Sequence, residues 1–183
     1  MEQIAIIGTA GRDKSKPMTL ALWLWLIRDI RQRIPQGANV RLKSGGAAWI
    51  DHLAVSLLIT GWVDHLDLHF PAPFDRQRCL FVGPDNSSAS AANYYHRLFS
   101  NVIQRDTLAQ INEALYHPHT RFTQENEMVG YRGMYARNTK VAQVDKMFAY
   151  TFGEGDVPAD GGTKHTWDLC QGEKTHISLP YFY

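Results

Sequence analysis

Short apolar runs and alternating positions, each followed by a helical repeat, divide this chain into strand–helix pairs. Ile4 to Ile7 is a continuous apolar run, the pattern of a strand buried on both faces of a parallel sheet. Ile27, Ile30 and Ile34 then recur at helical spacing, with Pro17 near the start of that helix and Pro35 and Gly37 at its stop. Trp23 and Trp25 fall on different faces, so this helix is expected to be covered on more than one side. Val40 to Lys43 predicts a second strand and Asp51 to Thr60 its helix, with Leu53, Leu57 and Leu58 on one side and Gly61 as the stop. From Val63 to Phe70 the chain alternates, with His65, Asp67 and His69 against Leu66, Leu68 and Phe70, which predicts a third strand. The βαβαβ order predicts an α/β, Rossmann-like doubly wound, mostly parallel sheet with helices on both faces and right-handed crossovers.

The middle is less regular. Pro71, Pro73, Pro84 and the stretch Asp85 to Ser90 read as loop around a short strand, Cys79 to Val82. Ala89 to Phe99 and Thr107 to Tyr116 predict helices, and His117 to Asn126 a polar loop. Residues 71–130 are therefore expected to form an irregular insertion in a single domain spanning residues 1–183. Order returns with a helix or turn over Ala136 to Val144, a strand over Lys146 to Tyr150, a short helix over Thr163 to Cys170, and a last strand over Thr175 to Leu179.

Composition narrows the classes. An apolar fraction of 44% with 20% charged residues suits a packed core. A formal net charge of +1 gives no global footprint for nucleic acid, which is not expected as a partner. Cys79 and Cys170 have neither metal-site nor redox-motif spacing and read as reduced thiols. The stretch Met18 to Ile27 is too short to span a bilayer, and the opening residues read as strand, not signal, so a cytoplasmic location without membrane contact is expected. His117-x-His119 and the pair His65 and His69 complete no recognisable zinc motif, and no metal or cofactor is expected.

Three glycine-rich loops follow predicted strands: Gly8-Thr9-Ala10-Gly11-Arg12, Ser44-Gly45-Gly46-Ala47-Ala48, and Gly161-Gly162-Thr163. Each runs into a predicted helix. Such junctions let a backbone approach a ligand closely, and the amides at a helix start favour an anion. A phosphate-bearing ligand is the leading expectation.

These pieces, with Arg12 after the first loop, Asp51 after the second, and Arg137-Asn138 before a late strand, resemble the SLOG superfamily of Rossmann-like nucleotide-binding domains. That group includes the Lonely Guy phosphoribohydrolases and the DNA-processing protein A family. The resemblance covers roughly Ile4 to Phe70 and Arg137 to Leu179. Lonely Guy enzymes carry Pro-Gly-Gly-x-Gly-Thr-x-x-Glu. Here the corresponding run is Asp160-Gly161-Gly162-Thr163-Lys164-His165-Thr166-Trp167-Asp168, without the proline, and the nearest carboxylate along the helix is Asp168.

The expected ligand-binding set is Gly8, Thr9, Gly11, Arg12, Ser44, Gly45, Gly46, Asp51, Arg137, Asn138, Gly161, Gly162, Thr163 and Thr166. Thr163 either caps its helix or holds a phosphate, and Asp51 either meets a ribose hydroxyl or starts its helix favourably against the dipole. Lys14 and Lys16 are expected to face solvent. Asp145, Asp168 and Glu154 are the candidate catalytic carboxylates. Asn93, Tyr94, Tyr95 and His96 form an aromatic and polar cluster that either stacks on a base or packs on the sheet. The expected function is binding of a nucleotide or nucleotide-derived metabolite as a sensor or sequestering module. The alternative is hydrolysis of an N-glycosidic bond. Whether the ligand is turned over, and whether the chain forms homo-oligomers, stay open.

Overall fold

The computed structural model describes residues 1–123, 133–159 and 161–182. The first half runs β1 (Glu2–Gly8), α1 (Leu20–Arg33), β2 (Val40–Ser44), a 3-10 turn (Trp49–Asp51), α2 (His52–Ile59) and β3 (His65–His69). A two-strand hairpin, β4 (Phe74–Asp75) and β5 (Leu80–Phe81), precedes α3 (Ser88–Ile103), α4 (Thr107–Leu115) and β6 (Thr120–Thr123). The chain then forms α5 (Gly133–Val141), β7 (Lys146–Thr151), α6 (Gly162–Leu169) and β8 (Glu173–Ser178).

Six strands make one sheet in the order β6-β3-β2-β1-β7-β8, and every pair in it is parallel. This is the Rossmann-like doubly wound arrangement. β1 shows why both faces are covered. Ile4 and Ile6 enter the larger core with Leu22, Leu26, Leu53 and Leu57 of α1 and α2, while Ala5 and Ile7 enter a second core with Val141, Trp167 and Cys170 around α5 and α6. The alternation of β3 sorts the same way: Leu66 and Leu68 are fully buried in the larger core, and Asp67 on the other face pairs with Arg41 at 2.8 Å and Arg121 at 2.7 Å.

Local signals place the ends of α1. Thr19 caps it by accepting a hydrogen bond from the Leu22 amide at 3.1 Å, and Pro17 stands two residues ahead of that cap. Trp23 packs edge-on to Phe99 and Trp25 edge-on to Tyr150, so the helix is covered on two sides. Among the described residues, no helix is long and apolar enough to cross a membrane.

One expectation is corrected here. The predicted polar loop from His117 contains β6, which pairs with β3 from Thr120 to Thr123 and adds a sheet strand within residues 71–130. Its polar character suits an edge: Arg121 is exposed and is held by the buried Asp67 through two hydrogen bonds, at 2.8 and 2.7 Å. Residues 124–126 of that loop, and Asp160 of the third glycine loop, lie outside the described residues.

Candidate functional site

β1 sits where the sheet order reverses. The chain leaves it toward β2, β3 and β6, then returns to β7 on its other side. In open α/β sheets such a switch point leaves a crevice beyond the carboxyl ends of the strands. A cavity of about 380 Å³ lies there, lined by the ends of β1 and β7 (Gly8, Thr9, Thr151, Phe152), the second loop (Gly45, Ala47, Asp51), α5 (Arg137, Asn138) and the start of α6 (Gly162, Thr163, Thr166). Arg12, Asp13 and Lys16 close it from the first loop. All three glycine loops thus reach one cavity. Its volume falls in the range of about 300–1,000 Å³ common for small-ligand pockets.

The loops differ in what they offer. Gly8 is required by close packing: a Cβ there would collide with the Tyr150 carbonyl and come within 2.7 Å of Ile50 Cγ1. Thr9 Oγ1 accepts from the Gly11 amide at 3.3 Å, bending the loop back on itself. In the second loop the amides are already engaged. Gly46 donates to Ser44 Oγ at 3.1 Å, and Ala47 donates to Asp51 Oδ2 at 3.4 Å. Ser44 and Gly46 therefore shape this turn from beneath it and do not line the cavity, and Asp51 serves as its brace.

The third loop is open. Gly161 is the N-cap of α6 at φ +118°, a conformation that favours glycine. A Cβ at Gly161 or Gly162 would meet nothing within 4 Å. The first backbone bond of the helix runs from the His165 amide to Gly161 O at 3.0 Å. Among the described residues, the amides of Gly162, Thr163 and Lys164 meet no acceptor. Thr163 does not cap the helix, because it stands inside the first turn. Thr166 donates its hydroxyl back to Gly162 O at 3.0 Å.

Arg137 is the central cation. It is buried, 7% exposed, and donates through Nη1 to the Gly45 carbonyl, while its Nε has no hydrogen-bond partner among the described residues. Burial pushes the Arg137 guanidinium down from its usual range, Asp51 opposes this, and the nearby charge of Arg12 adds to it. Burial likewise pushes the Asp51 carboxyl up, against Arg137 and the amides of Ala47 and Gly45. The cavity thus gathers two guanidiniums beside a helix start that, among the described residues, has no side-chain cap. Arg12 is itself seated on the ring of Tyr95, 5.1 Å from its centroid. Asn138 joins α5 to α6 through His165 Nδ1 at 3.4 Å.

The three candidate catalytic carboxylates do not meet in this cavity. Asp145 precedes β7 and so lies at the opposite, amino edge of the sheet, where Oδ2 accepts from the Gln3 amide at 2.8 Å. Asp168 is on the exposed side of α6, with both oxygens 2.6 Å from Lys164 Nζ. Glu154 is exposed in the loop after β7 and does not line the cavity. Among the described residues, the carboxylates that do line it are Asp13 and Asp51.

Lys14 is exposed, and Lys16, whose side chain is 39% exposed, also lines the cavity and pairs with Asp13 at 3.5 Å. In the aromatic cluster, Asn93 is partly buried and ties α3 to β5 by bridging the Phe81 amide and carbonyl at 2.9 and 2.8 Å, and His96 is fully buried. Thr151 and Phe152 line the cavity without having been expected to. A strand's last residues are the place to look for such lining, but nothing in their type marks them.

No protein-family model matches the chain, and no solved structure matches it. The chain is similar to "Uncharacterized protein R261" of Acanthamoeba polyphaga mimivirus, 28% identical over 189 aligned positions that cover 98% of this chain and 97% of that protein.

Proposed function

We propose that this protein is a SLOG-type domain that binds a nucleotide or nucleotide-derived metabolite as a sensor or sequestering module. The phosphate would lie at the start of α6, against the open amides of Gly162 and Thr163 and between Arg12 and Arg137. One observation carries the reading: a buried arginine whose Nε has no partner, and a helix start with no side-chain cap, both among the described residues, line the same cavity. Each attracts an anion, and an anion between them relieves the repulsion of the two guanidiniums.

The site favours binding over turnover. In the Lonely Guy motif the glutamate stands three residues after the threonine, and that position here is Thr166, whose hydroxyl is spent on Gly162 O. A second reading, hydrolysis of an N-glycosidic bond, rests on Asp51. It is a buried carboxyl in the cavity whose protonated form is favoured by burial, which suits a proton donor to a leaving base.

Calorimetry and chromatography with nucleoside monophosphates, dinucleotides and cyclic nucleotides test both readings. Saturable binding with the nucleotide recovered intact is the expected result. Release of free base would establish the second reading, and absence of any binding across the panel would remove both.

A further inference from the structure

The segment between β3 and β6 reads as an insertion, yet two consecutive residues of α3 reach two different glycine loops. Tyr95 carries Arg12 on its ring face, and His96 Nε2 lies 2.9 Å from the carbonyl oxygen of Gly46. A carbonyl only accepts, so Nε2 bears the proton and Nδ1 is the acceptor. Thr107 Oγ1 stands 2.9 Å from Nδ1 and 3.2 Å from the His96 carbonyl oxygen, and shares its proton between these two acceptors. Ser100 Oγ, 2.8 Å away, supplies a proton to Thr107 Oγ1 and accepts from the Thr107 amide at 3.0 Å. The imidazole is fully buried against Phe81 and Phe99, so its direction is set by packing as well as by hydrogen bonds.

The turn it holds has little freedom. Gly46 is at φ +73°, with the Phe70 ring 2.7 Å from where a Cβ would stand. The Gly45 carbonyl is held by Arg137, and the Gly46 amide by Ser44 Oγ. His96 supplies the remaining anchor, on the carbonyl between the cavity-lining Gly45 and Ala47.

We propose that Tyr95 and His96 are positioning residues of the cavity. Tyr95 aims the Arg12 guanidinium at the bound anion, and His96 locks the Gly45-Gly46-Ala47 turn, so that α3 is part of the ligand site. The proposal rests on the nucleotide-binding reading for its effect on affinity, but not for its effect on loop order.

The test uses the full chain and two measurements: AMP affinity by calorimetry, and hydrogen exchange of amides 9–12 and 44–47 without ligand. Tyr95→Leu should weaken AMP binding by about two- to fivefold, the scale of an exposed cation–π contact, while Tyr95→Phe, which keeps the ring, restores it. The Tyr95→Leu loss should vanish in an Arg12→Ala background. His96→Phe should speed exchange at 44–47, and His96→Gln, which keeps a donor for the Gly46 carbonyl, should slow it again. Wild-type affinity in Tyr95→Leu, or an undiminished loss beside Arg12→Ala, overturns the role of Tyr95. Unchanged exchange at 44–47 in His96→Phe overturns that of His96. Should His96→Phe not fold, His96→Gln against His96→Ala gives the same comparison. If the wild-type protein binds no AMP, the exchange arms still decide: faster exchange at 9–12 in Tyr95→Leu and at 44–47 in His96→Phe supports the positioning, and unchanged exchange sinks it.

Discussion

Arg137 donates a hydrogen bond to the carbonyl of Gly45, 92 residues earlier in the chain. The contact ties α5 on one face of the sheet to the loop that follows β2, and it leaves the rest of a buried guanidinium facing the cavity. A Cβ on Gly45 would collide with Arg137 Nη1 and stand 2.8 Å from Asp51 Oδ2.

Gly45→Ala should therefore destabilise the fold by about 1–3 kcal/mol, the scale of overpacking. Gly162→Ala is the contrasting case. With open space around it at the start of α6, an added methyl should leave stability unchanged or raise it by about 0.5–1 kcal/mol. If that space belongs to a ligand, Gly162→Ala should nonetheless weaken nucleotide binding. Denaturant midpoints paired with calorimetry separate the two effects.

Arg12→Ala should cost about 1.5–3 kcal/mol of nucleotide affinity, the scale of a hydrogen bond to a charged group. Lys14→Ala, at an exposed position outside the cavity, should cost nothing measurable. Equal affinities for the two variants would remove Arg12 from the site.

Asp168→Asn should leave both binding and any turnover intact, because its carboxylate is engaged by Lys164 on the far side of α6. Asp51→Asn is expected to loosen the second loop through Ala47, and to abolish turnover if base release is found. A steady-state assay in which Asp168→Asn is the inactive variant would return the catalytic role to α6.

Acid should weaken the fold through its buried histidines. Burial lowers His52 to about 3 and His96 to about 4, from an ordinary 6.5. Above pH 6.5 both folded and unfolded chains hold these rings neutral, and the stability is fully present. As pH falls below 6.5 the unfolded chain takes up protons that the folded one refuses, so stability falls toward pH 4, by roughly 3 kcal/mol per ring. Urea midpoints at pH 7, 5.5 and 4.5 should decline in that order. A flat profile would mean that these rings are protonated within the fold.

Most of the sheet was legible in the sequence because it depends on near neighbours. The apolar run Ile4 to Ile7, the alternation from Val63 to Phe70, and the glycines after each strand report burial and turn geometry within a few residues of themselves. Asp145, expected from the sequence to be a catalytic candidate, stands just before a parallel strand and therefore lies at the amino edge, opposite the crevice. What only the tertiary structure decided involves partners distant in sequence. Thr120 to Thr123 has no strand pattern of its own, and it becomes β6 because β3 offers a free edge and Asp67 a counter-charge for Arg121. For His96 the sequence leaves open stacking on a base or packing on the sheet, and only the fold encloses it between Thr107 and the Gly46 carbonyl. Arg137 and Asp51 belong to the ligand-binding set expected from the sequence, but nothing in their type marks them as buried. Their altered proton affinities arise only when folding buries them on either side of Gly45, because desolvation and Coulomb interaction depend on what the completed fold packs around a charge.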